Sequence, residues 1–260
     1  MKTVMPLIIL LFSLLIVHTA HAEIFQYFDE EGTRIVTDDP FGTRKQHRQQ
    51  YHRKQNRNNK VGLNFRESVA YDFYEVSGQN IHEAISATDR VGPFDSREGR
   101  HYAGQTRWNF GLSYDLDFSY QFDGGTIRVA LQIHNIEFRS DITVILPMLA
   151  DENRFDPHDF RVWEDFLQQL AEHEHDHVRI IQEPRFRQEV ISGISGIREL
   201  TLSYQDNENA EAMVKGAIES RVGAVAHDSI REIKKKNDEY DGLTDHGRKP
   251  ELRNAFFQRL

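Results

Sequence analysis

Residues 157–182 contain no glycine and no proline beyond the one that starts them, and this run constrains the fold more than any other feature. Asp156 is placed as an N-cap, Pro157 as the first helical residue and Asp159 at the third position. Pro184 prevents further extension. The pattern predicts one long amphipathic helix. Phe166, Leu170, His173, His177 and Ile181 fall on a single side of it. Glu172, Asp176 and Arg179 fall mostly elsewhere and are expected to face water.

Inside that run, His173-Glu174-His175-Asp176-His177 spells H-E-x-x-H. Positions four apart share a helix face. The two outer imidazoles can therefore meet one ion at about 2.0–2.1 Å from each ligating nitrogen. Glu174, one residue round, is poorly placed to bind that ion but can reach a water on it. Zinc lowers the pKa of such a water to about 7, and a nearby carboxylate takes its proton. The spacing therefore predicts His173 and His177 as Zn²⁺ ligands and Glu174 as general base, with His175 exposed on another face. A catalytic zinc needs a third protein ligand and an open position, whereas a structural one needs four ligands. The candidates are Glu219 and His227 on a later helix, and Asp241 and His246 after it. There is no cysteine, so any metal site must use His, Asp and Glu. Nucleophilic catalysis has neither a Cys nor a Gly-x-Ser-x-Gly motif to rest on.

Upstream of the helix the pattern is strand-like. Residues 68–77, 107–120, 126–138 and 141–149 alternate apolar and polar side chains, and Asp123-Gly124-Gly125 reads as a turn. Asn80 and Glu83 form a capping box for a short helix through Thr88, ended by Gly92-Pro93. Downstream, a helical stretch follows Arg185 and a third runs over about 209–238. Strands first and helices second predict an α+β fold. The expected form is an antiparallel β-meander followed by a helical half carrying the H-E-x-x-H helix, in a zincin-like arrangement. Residues 142–147 are expected as an edge that an extended substrate could join.

The N-terminal region has three parts. Residues 1–22 have a positive start, a short apolar run and Ala20-His21-Ala22, and read as a cleaved secretory signal peptide. Residues 23–42 read as a short β-hairpin module. Residues 43–60 hold seven Lys or Arg and no acid, and read as a basic flexible linker able to contact an anionic envelope surface. Residues 61–260 form the main domain. A net charge of -9 argues against general nucleic-acid binding. No later segment is apolar enough to span a membrane, so the chain is expected to be periplasmic or secreted.

Two resemblances add to this reading. Phe28-Asp29-Glu30-Glu31-Gly32 and Thr37-Asp38-Asp39-Pro40 are similar to the start of domain of unknown function 4124, which implies no chemistry. The main domain resembles domain of unknown function 922, bacterial proteins regarded as secreted zinc-dependent proteases. Tyr74 to Gly78, Gly92-Pro93, Tyr102 to Trp108, Ile145-Leu146-Pro147, the H-E-x-x-H helix and Tyr240-Asp241-x-x-Thr244-Asp245-His246-Gly247 match in order. The resemblance implies His246 as the third zinc ligand. It also implies Tyr240 as a hydrogen-bond donor to an oxyanion, and Asp241 or Asp245 as a carboxylate holding a ligand imidazole.

The expected function is a zinc metallopeptidase acting on a peptide or protein substrate. The alternative is a catalytically silent, zinc-stabilised envelope binding module.

Overall fold

The computed structural model describes residues 18–35, 63, 65–66, 68–205 and 209–260. The basic linker, the Thr37–Pro40 stretch and most of the leader lie outside them. Its frame is a six-stranded mixed sheet. Strands β1 (His18–Phe28), β2 (Arg34–Ile35), β3 (Ala70–Val76), β6 (Gln105–Asp123) and β7 (Thr126–Leu149) run in the order β2-β1-β6-β7-β3. Strand β8 (Glu199–Ser203) also pairs with β7. A separate small pair, β4 (Phe94–Asp95) and β5 (Arg100–His101), stands beside them.

The long hairpin β6–β7 is the spine. Gly124 and Gly125 both take positive φ, 55° and 85°, which a two-residue turn between right-twisted strands requires. Along β6, Trp108, Phe110, Leu112, Tyr114, Leu116, Phe118 and Tyr120 are buried, every second residue. On β7 the buried positions are odd-numbered from Ile127 to Ile133 and, after Phe138, even-numbered from Ile142 to Leu146, with all of 146–149 buried. The parity changes at a bulge where Ser113 pairs Glu137 but Asp115 pairs His134, and Asn135 takes φ 50°. One extra residue keeps the same face buried. The two expected strands, 126–138 and 141–149, are one continuous strand, because Arg139 and Ser140 stay paired with Gly111 and Phe110.

The sheet departs from the expected antiparallel meander because β3 runs parallel to β7, Tyr74 opposite Pro147. Parallel pairing needs a crossover, and helix α1 (Ile81–Val91) lies within it. Residues 143–145 thereby lie between β6 and β3 rather than at an edge, while 146–149 pair with β3 alone among the described residues. Pro147 is tolerated because β6 pairing stops at Gln105 opposite Ile145. The open edge lies elsewhere: β1 pairing stops at Phe28 opposite Phe110. Residues 105–109 of β6 therefore have a strand neighbour on one side only, among the described residues.

The expected N-terminal hairpin forms, and its first strand pairs with β6 from His18 opposite Tyr120 onward. An isolated two-stranded hairpin is marginal in water, and docking on β6 supplies its missing neighbour. Residues 18–22, expected within the leader, belong to this strand.

Helices α2 (Pro157–Ile181) and α3 (Pro184–Ser195) pack on β7, and α4 (Ala210–Thr244) packs against both. Asp156 caps α2 as expected, accepting from the His158 and Asp159 amides. Helix α4 runs past 238 to Thr244, so Tyr240, Asp241 and Thr244 lie on the helix rather than after it. A short helix, α5 (Arg253–Phe257), folds back against α4. Among the described residues no helix is long and apolar enough to cross a membrane.

Candidate metal centre

The inner face of α2 brings His173 and His177 to the last turns of α4. Their Nε2 atoms are 3.1 Å apart. Asp241 Oδ1 lies 3.1 Å from the first and 3.0 Å from the second. His173, His177 and Asp241 are the group among the described residues whose ligand atoms could hold a metal ion. Ligand atoms 2.0–2.1 Å from a tetrahedral centre stand about 3.3 Å apart, close to the separations here. Asp241 Oδ1 is buried, yet it forms no aligned hydrogen bond despite its two near neighbours. A buried carboxylate oxygen without such a bond is costly unless a cation meets it. The donor set, two imidazoles and one carboxylate, suits zinc.

Charge follows the same geometry. Burial pulls the His177 imidazole down, but the Asp241 carboxylate outweighs it and pushes the pKa up to about 9. For Asp241, burial works upward and is overcome by the two imidazoles, chiefly His177, which hold the carboxyl well below its ordinary range.

Neighbouring groups fix the two imidazoles in place. His177 Nδ1 is 2.7 Å from Asn237 Oδ1, while the Asn237 amide donates to the Ile233 carbonyl. That pins the amide, so Nδ1 donates and Nε2 is turned to the cluster. The His173 ring lies against Gly247, where a Cβ would stand 2.9 Å from Cγ. Gly247 closes a turn in which Asp245, His246 and Gly247 take φ 53°, 52° and 82°. Non-glycine residues rarely adopt this conformation, and it concentrates at functional sites.

Glu174 is buried beside the start of β6. Thr106 Oγ1 donates to its Oε2 at 2.7 Å. A Cβ at Gly104 would lie 2.6 Å from its Oε1, so glycine makes room for the carboxylate. His173, Glu174, His177, Asp241, Gly104 and Thr106 line one cleft of about 880 Å³.

The remaining expected residues fall as follows. His246 is at the rim, its Nδ1 3.8 Å from Asp241 Oδ1. Its Nε2 accepts from Arg100 at 3.0 Å, and its ring lies 4.9 Å from that of Tyr102. Tyr240 does not reach the cleft as an oxyanion donor: it is fully buried and its hydroxyl donates to Asp176 Oδ2 at 2.5 Å. Burial, reinforced by that bond, raises its pKa. Asp176, expected in water, is buried and paired because α5 covers that face. His175, expected exposed, is half-buried with its Nε2 2.7 Å from the Tyr71 hydroxyl, and burial lowers its pKa to about 4. Glu219 pairs with Arg34, and His227 packs beside Gly32. Thr106, Gly104 and Asn237 escaped the sequence reading. Gly104 and Thr106 stood in the 102–108 segment, but only contact with α2 gives them a role.

No curated protein and no solved structure shows significant similarity to this chain. The profile of a family described as "bacterial protein of unknown function (DUF922)" matches residues 71–247, which span β3 to the Gly247 turn and include every residue of the cluster. The chain belongs to the DUF922 family.

Proposed function

We propose that the chain is a zinc-dependent metallopeptidase of zincin type, working in the periplasm or outside the cell. The observation that carries this reading is the convergence of His173, His177 and Asp241 on one point beside Glu174, in a cleft large enough for a peptide segment. A zinc ion bound there would polarise the scissile carbonyl and make an attacking water acidic. We give the third-ligand role to Asp241, because its oxygen faces both imidazoles while His246 is turned to Arg100.

Glu174 takes the proton of the attacking water and returns it to the leaving amine. Thr106 holds one of its oxygens, so the carboxylate is aimed before substrate arrives. Asn237 keeps the His177 proton on Nδ1. The open edge at 105–109 of β6 begins beside Glu174 and offers main-chain groups to an extended peptide.

The alternative, a catalytically silent binding module stabilised by zinc, is less well supported. It leaves the aimed Glu174 without purpose. Its candidate fourth ligands, Glu219 and His227, are engaged elsewhere.

The test is hydrolysis of a quenched-fluorescence peptide library. Activity should vanish with a chelator, return with Zn²⁺, and fall about 10²–10⁴-fold in Glu174→Gln. That variant should still bind the metal. Activity that survives Glu174→Gln contradicts the reading.

A further inference from the structure

The family match ends at Gly247, yet the chain after it reaches back to the metal cluster from behind. Asp176 Oδ2, buried on α2 next to His177, takes two bonds: one from the Tyr240 hydroxyl at 2.5 Å and one from Arg253 Nε at 2.5 Å. A buried carboxylate is tolerated only when its charge is met and its lone pairs are used. Arg253 meets the charge, and Tyr240 supplies a second donor to the same oxygen.

Tyr240 is also the ring that touches both candidate ligand imidazoles. It stacks on His173 at 5.2 Å and 19°, and meets His177 edge-on at 5.3 Å and 89°. Phe256 and Phe257 pack on its other sides at 5.1 and 5.8 Å. Arg253 extends further to Glu172 Oε2 at 2.6 Å. A second, separate tie joins the tail to α2, with Arg179 lying 3.9 Å over the Phe257 ring.

We propose that residues 250–257 form a strap that sets the geometry of the metal centre, with Arg253 as a positioning residue acting through Asp176 and Tyr240. Arg253 touches neither metal nor substrate. It fixes the Asp176 carboxylate, which fixes the Tyr240 hydroxyl, which fixes the ring against which both imidazoles rest. This rests on the metal reading above, and adds that a segment outside the family match governs how tightly the metal is held.

The test is zinc titration of the full chain, with folding followed by near-ultraviolet circular dichroism. Arg253→Ala should fold and weaken zinc binding about 10–100-fold, the scale seen when groups behind metal ligands are removed. Arg253→Lys, which restores a cation without the planar fork, should recover part of the loss. Arg179→Ala removes the other tie and should lower thermal stability while leaving zinc affinity unchanged. Wild-type affinity in a folded Arg253→Ala overturns the proposal, as does an equal loss in Arg179→Ala, which would indicate general loosening. If Arg253→Ala does not fold, Arg253→Gln keeps the stem and a neutral donor, and wild-type affinity there is equally fatal. A wild-type chain that takes no zinc overturns the metal reading itself, and the strap with it.

Discussion

The hydroxyl of Thr106 reaches Glu174 twice, 2.7 Å from its carboxylate Oε2 and 3.2 Å from its main-chain carbonyl. A strand end is thereby tied to the middle of a helix at the residue assigned as general base. Thr106→Val keeps the shape and removes the donor. Peptide hydrolysis should fall about 10-fold or more as the base loses its aim, and stability by about 1 kcal/mol. Zinc affinity should not change, which a titration beside the kinetic assay checks.

Gly247 is required twice over, by φ 82° and by the His173 ring 2.9 Å from where a Cβ would stand. Gly247→Ala should destabilise the chain by more than about 1 kcal/mol and displace the His173 imidazole. Thermal unfolding should show the first effect and weakened zinc binding the second. An unchanged melting temperature would contradict the described turn.

The metal-free chain should show a pH dependence with a definite sign. The folded state holds the His177 proton to about pH 9, against an ordinary value of 6.5. Burial opposes this and the Asp241 carboxylate more than offsets it. Stability from this pair is therefore complete between the ordinary Asp and His values, 3.8 and 6.5, is lost as pH rises through about 9, and is lost again in strong acid as Asp241 protonates. Zinc must expel that proton, so zinc affinity should rise over the same window while the metal-loaded chain keeps its stability. Thermal melts with and without zinc across these pH values check both statements.

Much of this was legible in local pattern. The span of α2 follows from Asp156, Pro157 and Pro184, and the H-E-x-x-H face from helical spacing. The strands of the spine follow from alternation, and their turn from paired glycines. What was not legible depends on distant partners. Parallel pairing of β3 with β7 is a choice of neighbour that alternation does not encode. Strand β8 carried a signal in the alternation around Leu200 and Leu202, but it is short. The end of α4 was not legible because polar Asn237, Asp241 and Thr244 interrupt the apolar pattern there. Asn237, Tyr240 and Thr244 continue the buried stripe of the helix, and the partly exposed Asp241 turns its Oδ1 to His173 and His177. Asp176 looked solvent-facing for the same reason, since its partner Arg253 lies 77 positions away.

The central claim is that His173, His177 and Asp241 together hold one metal ion, and the most direct measurement is metal content by elemental mass spectrometry. The purified chain would be measured beside Asp241→Asn and His246→Ala after equilibration with zinc. The account predicts about one zinc per wild-type chain, loss of most of it in Asp241→Asn, and near-complete retention in His246→Ala. A wild-type chain without zinc, or zinc kept by Asp241→Asn and lost from His246→Ala, would contradict it.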